Sequence, residues 1–261
     1  MKKFWLISLV MILSLSLFAE RKALLIGNAS YSGMTLASPI NDINAMEAAL
    51  GNWGYTIQKT QNLNLQSMTA VIDSFTADIG ADDEIFFYYS GHGVRDNGGN
   101  YLVPAGINMQ NRQTYANTAY SVNTLIRKLN GARNAIVLLE ACRHWPPVSA
   151  TSAKFFEHQA VQDSTVSVIF PAKPHLAVSE VNPPRSAFTQ AFIAKFTQST
   201  NGYNQTIQEL LTELRAVPNH PIDPWVSPKA LKNDLILNIQ NQRFFFKGGA
   251  MDLEGGGSLS W

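Results

Sequence analysis

Apolar residues in this chain follow two rhythms. Short unbroken runs occur at RKALLIG (21–27), IFFYYS (85–90), AIVLLEA (135–141), VSVIF (166–170), HLAVS (175–179) and RFFF (243–246), and Tyr55 to Thr60 alternates. Runs of this length predict strands buried on both faces. Between them apolar residues recur at helical spacing. Pro39 opens a segment carrying Ile40, Ile43, Met46, Ala49 and Leu50, and Gly54 stops it. Leu65, Met68, Val71, Ile72, Phe75 and Ile79 mark a second helix, and Val122–Leu129, Ser186–Phe196 and Thr206–Leu214 mark three more. The turn signal Asn97–Gly98–Gly99–Asn100 before YLVP predicts a hairpin. Strands that alternate with helices predict an α/β domain, a largely parallel sheet with helices on both faces.

Three stretches lie outside these rhythms. The N-terminus pairs Lys2 and Lys3 with an uncharged, mostly apolar run from Phe4 to Phe18. That is the build of a signal peptide, residues 1–19, and it is short for a membrane span. An uncleaved membrane anchor is the alternative, because Leu17 is large for its place before a cleavage point after Ala19. Either way the body of the protein is expected outside the cytosol, periplasmic or secreted. Residues 143–164 show no period and are expected to form a mobile loop within a domain spanning 20–246. The Gly-rich residues 247–261 read as a disordered tail.

Composition narrows the partners. The formal charge is +1 for the 261 residues and becomes −1 once Lys2 and Lys3 leave with the signal segment. Such a chain has no electrostatic reason to bind nucleic acid, and stable membrane association is expected only if that segment stays. No cofactor is implied, and the oligomeric state is open. Asp82, Asp83 and Glu84 read as a solvated strand start rather than a calcium site.

The chemistry sits at two strand ends. Cys142, the only cysteine, follows AIVLLEA, and His92 lies fifty residues earlier in EIFFYYSGHG. A lone cysteine is a small buried hydrophobe, an intermolecular bridge or a reactive thiol. His92 between Gly91 and Gly93 reads equally as a turn residue capping a strand and as an accessible base. Taken together they favour a nucleophile with its base, since a thiol needs an imidazole to deprotonate it. Both lie where parallel α/β sheets gather ligands, beyond the carboxyl ends of the strands. Other motifs fail: Asp96 breaks a GxGxxG pattern, and Cys142, His144 and His158 match no common zinc spacing, so no metal is expected.

Those two boxes, with RKALLIGNASY, PINDINAMEAAL, NYLVP and a weaker PRSAFTQAF, resemble the caspase-like cysteine peptidases, specifically bacterial members near the metacaspases and paracaspases. A histidine about fifty residues before the cysteine is also that family's spacing. The resemblance covers residues 21–246. It implies a caspase–haemoglobinase three-layer α/β/α sandwich with a mostly parallel central sheet. It implies Cys142 as nucleophile, His92 as base and proton donor, and the amides of Gly93 and Cys142 as oxyanion donors. It further implies an endopeptidase acting on peptide or protein substrates after Arg or Lys. The pocket for that residue would be lined by Asp42 and Glu140, with Ser90 and Ser186 beside them. Glu140 stands where the family usually has Asp, and HWPP replaces a polar continuation after Arg143. Lys154, in the loop after the nucleophile, is a candidate point of self-cleavage. A catalytically silent binding module of the same fold and a transpeptidase are the competing readings.

Overall fold

A computed structural model describes residues 19–33, 35–96, 99–108, 115–142, 165–171, 180–181, 185–216, 224–228 and 230–240. In chain order the elements are β1 (Arg21–Gly27), α1 (Pro39–Asn52), β2 (Thr56–Gln61), α2 (Leu65–Ala77), β3 (Glu84–Asp96), β4 (Gly99–Leu102), α3 (Tyr115–Thr118), β5 (Tyr120–Ser121), α4 (Val122–Leu129), β6 (Asn134–Cys142), β7 (Val166–Phe170), β8 (Glu180–Val181), β9 (Arg185–Ser186), α5 (Ala187–Gln198), α6 (Tyr203–Ala216) and β10 (Trp225–Ser227). The signal segment apart from Ala19, the segment 143–164, the expected strands at 175–179 and 243–246, and the tail lie outside the described residues.

The main sheet runs β10-β7-β6-β3-β1-β2. Its strands are parallel except β10, which joins the edge antiparallel to β7. The expected parallel α/β arrangement is thus present, and strand alternation explains its three layers. Ala23, Leu25, Phe86, Tyr88, Ile136 and Leu138 face one way, into a core closed by α1, α5 and α6. Their neighbours Leu24, Ile26, Phe87, Tyr89, Val137 and Leu139 face the other way and pack on α2 and α4. Every central strand is therefore apolar at consecutive positions, as its sequence requires.

Two departures matter for the site. IFFYYS was expected to end at Ser90, but β3 continues through His92 to Asp96. Past Ser90 it parts from β1, stays paired to β6 through His92, and from Gly93 pairs antiparallel with β4, which pairs with β5. The predicted hairpin is reflected in the Asp96↔Gly99 pairing, although residues 97–98 themselves lie outside the described residues. The acidic strand start is the second departure. Asp83 is buried, accepting the amides of Glu20 and Gly80 and an ion pair from Lys22, so its carboxylate is a structural acceptor and not a solvated charge. Asp82 is exposed, as expected.

Arg21 closes the molecule at its other end. The guanidinium donates to the carbonyls of Trp53, Ile236 and Leu237, pairs with Glu84, and lies over the Tyr55 ring at 4.4 Å. The fork geometry of arginine suits several acceptors at once. One side chain on β1 thereby fastens the last described segment of the chain. Among the described residues no helix is long and apolar enough to cross a membrane.

Candidate active site

The register of two neighbouring strands builds the site. β3 and β6 pair in parallel with Ser90 opposite Glu140, Gly91 opposite Ala141 and His92 opposite Cys142. Adjacent strands lie about 4.8 Å apart, so the backbones of the histidine and the cysteine are immediate neighbours. Cys142 is the last residue of β6. Gly93 follows His92 at the first pair of the β3–β4 ladder, opposite Leu102.

His92 departs from the expected open loop residue. It is only 7% exposed, held inside a continuing strand. Its amide donates to the Tyr31 hydroxyl at 3.0 Å, and its carbonyl accepts from the Tyr89 hydroxyl at 2.9 Å. The Tyr31 ring meets the imidazole edge-on, with centroids 4.4 Å apart. Tyr31 and Tyr89 also touch each other and reach the Val103 carbonyl. Burial raises the pKa of both phenols above its ordinary value, so both keep the protons these bonds need. Gly91 is required here for a reason other than access. A Cβ at that position would lie 2.6 Å from the hydroxyls of both tyrosines. The glycine makes room for the clamp on the next residue.

The second constellation lies one step back along the same strands. Asp42, in the first turn of α1, is 0% exposed. Its Oδ2 accepts the hydroxyls of Ser90 at 2.9 Å and Ser186 at 2.6 Å, and its Oδ1 accepts the Ser186 amide at 2.8 Å. Asp42 does more than complement its own helix dipole: it also holds the N-terminus of α5. Ser186 is the N-cap residue of α5, yet its hydroxyl goes to Asp42 and makes no bond to the helix. Asp42, Ser90 and Ser186 are therefore joined by hydrogen bonds, and Glu140 lies opposite Ser90 on the neighbouring strand.

Glu140, 3% exposed, accepts the Thr189 hydroxyl through Oε2 at 2.8 Å. The Thr189 amide also faces this carboxyl, but Oε1 has no hydrogen-bond partner among the described residues. Burial, and secondarily the nearby charge of Asp42, pushes its pKa up to about 8. Thr189 in turn bonds the Tyr88 hydroxyl at 2.7 Å. The whole cluster is closed to solvent, and its charge is compensated by hydroxyls and helix amides.

Sequence reading passed over Thr189, Tyr31, Tyr88 and Tyr89. Thr189 lies between apolar positions of a helix, and the tyrosines sit inside apolar segments where a hydroxyl carries no periodic signal. The two glycines around His92 read as access to its ring, whereas Gly91 makes room for the tyrosine hydroxyls.

A parallel α/β sandwich that sets histidine opposite cysteine at neighbouring strand positions has the framework of a cysteine-dependent hydrolase. The sequence agrees at the level of family. A family model for the caspase domain matches residues 20–220, and the chain belongs to that family, one of cysteine peptidases. No curated protein matches the chain.

Proposed function

We propose that this protein is an endopeptidase in which Cys142 and His92 form the catalytic dyad. The observation that carries the reading is their in-register pairing on adjacent strands. His92 accepts the thiol proton of Cys142, and the thiolate attacks the peptide carbonyl. The amides of Gly93 and Cys142 stabilise the oxyanion, an effect typically about 100- to 1,000-fold in rate. The imidazolium gives its proton to the leaving amine, and the acyl group stays on sulfur. Water, deprotonated by His92, then releases the acid and restores the thiol.

The residue before the scissile bond is read as basic. The buried carboxyl groups of Asp42 and Glu140 support this, since Asp42 attracts a cation and repels an acidic side chain, and a cation held beside Glu140 would favour its ionised form, which burial and Asp42 otherwise oppose. Residues 1–19 are read as an export signal, which places the activity outside the cytosol.

Fluorogenic peptides with Arg, Lys, Asp or Asn before the scissile bond test the reading, assayed beside Cys142→Ala and His92→Ala. The expected outcome is turnover after a basic residue that both substitutions abolish. Turnover after Asp alone would remove the basic pocket and leave the dyad standing. Absence of Cys142-dependent turnover on every peptide would favour a binding module.

A further inference from the structure

His92 lies where β3 has lost a neighbour. β1 ends at Gly27 opposite Ser90, and the last bond across that edge runs from the Asn28 amide to the Ser90 carbonyl at 2.8 Å. Along a strand the N–H and C=O of one residue point to the same side, and every second residue repeats that side. His92, two residues past Ser90, therefore turns its peptide groups toward a strand that has already ended. Side chains take that strand's place. The His92 amide donates to the Tyr31 hydroxyl at 3.0 Å. Its carbonyl accepts the Tyr89 hydroxyl and the Val103 amide, each at 2.9 Å. The two phenol oxygens stand 3.1 Å apart and both reach the Val103 carbonyl, so each tyrosine fixes the other.

Tyr31 acts on the residue it holds in two ways. Its hydroxyl sets the backbone, and its ring, with centroids 4.4 Å apart, walls one side of the imidazole. Tyr203 is a useful contrast. It is as deeply buried, and its hydroxyl bonds Ser167 at 2.8 Å, far along the chain from either strand end. Tyr31 and Tyr89 converge instead on both peptide groups of one residue. A reacting group displaced by about 1 Å can lose about a hundredfold in rate, so a grip of this kind bears on turnover.

We propose that Tyr31, backed by Tyr89, is the positioning residue of His92, holding it for proton transfer with Cys142 and so governing kcat rather than substrate affinity. This rests on reading His92 and Cys142 as the dyad. Two readouts on the full chain keep the two apart. The first is alkylation of Cys142, the only cysteine, by iodoacetamide across pH, for wild type, His92→Ala, Tyr31→Phe, Tyr89→Phe and Tyr203→Phe. The second is kcat and KM on whichever peptide of the panel wild type cleaves fastest. In a dyad the wild-type midpoint lies below the ordinary thiol value of about 8.5, and His92→Ala raises it. Tyr31→Phe keeps the ring and removes the acceptor. It is expected to raise the midpoint too, and to lower kcat by about tenfold or more with KM within about twofold. Tyr89→Phe leaves the His92 carbonyl its bond from Val103 and is expected to lose less, about three- to fivefold in kcat. Tyr203→Phe is expected to melt earlier with midpoint and kcat unchanged.

A folded Tyr31→Phe protein with the wild-type midpoint and kcat overturns the proposal and leaves the dyad intact. So does a loss carried by KM alone, or a Tyr203→Phe protein that loses as much kcat, because the effect would then be a general loosening of the core. A wild-type midpoint equal to that of His92→Ala removes the dyad and this proposal with it. If thermal unfolding shows that Tyr31→Phe does not fold, Tyr89→Phe decides, and wild-type kcat there overturns the proposal.

Discussion

At the scale of single residues, Glu140 has the most to say, because its environment works against its charge. Its ordinary pKa of 4.5 rises to about 8 on folding, first through burial and then through Asp42. Between those values the folded protein holds a proton that the unfolded chain has released. Each step up in pH across that window therefore favours unfolding, and the stabilising contribution is present below it and lost above it. Glu140→Gln removes the titration while keeping the size of the side chain. Urea unfolding of both proteins at pH 5 and pH 8 should show the glutamine protein gaining on wild type as pH rises, by a few kcal/mol at most. A difference that stays constant with pH would mean that Glu140 ionises freely in the folded state. His92 teaches a related point about access. Its flanking glycines suggested an exposed ring, whereas Gly91 is there to admit two tyrosine hydroxyls that grip the backbone of His92.

At the scale of elements, long periodic segments were legible and short ones were not. The α4 helix has the predicted bounds, and α1, α2, α5 and α6 agree within a few residues, because amphipathic spacing and caps are local properties of the chain, whereas the four-residue α3 was not predicted. The strands β5, β9 and β10 have two or three residues each and owe their identity to the partner they pair with. No pattern within so few residues could announce them. The extension of β3 escaped for the same reason, since past Ser90 it is defined by its partners, β6 up to His92 and β4 from Gly93. Asp42, Glu140, Ser90 and Ser186 were legible through the family resemblance, whereas Thr189 and Tyr88, whose hydroxyls hold Glu140 from behind, carried no signal in the sequence. Asp42 couples α1 to the N-terminus of α5 through two hydrogen bonds from Ser186, and to β3 through a third from Ser90, all three from buried partners. Asp42→Ala should cost about 3 kcal/mol, since it leaves a buried amide and two hydroxyls without an acceptor. Hydrogen exchange should quicken in the first turn of α5, and Asp42→Asn, which keeps a carbonyl acceptor, should lose less. A loss of less than about 0.5 kcal/mol for the alanine protein would show that α5 is seated by its apolar face alone.

At the scale of the whole molecule, the sheet order is what converts sequence distance into proximity. Two strands fifty residues apart in the chain become neighbours at the centre of the sheet, and each contributes one member of the proposed dyad. The same order leaves β1 and β10, the first and last described strands, without a sheet partner in common, and Arg21 ties β1 to the described segment that follows β10. It joins β1 to the carbonyls of Ile236 and Leu237 and to the end of α1 at Trp53. Arg21→Ala should lower stability by about 3 kcal/mol and open residues 230–240 to proteolysis. Arg21→Lys should rescue little, because an ammonium cannot reach several separated carbonyls together. A lysine protein as stable as wild type would mean that charge alone matters there. The clasp also sets a clock on synthesis. Its first half leaves the ribosome near the start of the domain and its second half some two hundred residues later, so that at 5–20 residues per second β1 waits on the order of ten seconds or more for its fastening. Until then the nascent domain is a chain that can still be threaded, unfolded or handed to a partner, and the arginine is what ends that interval.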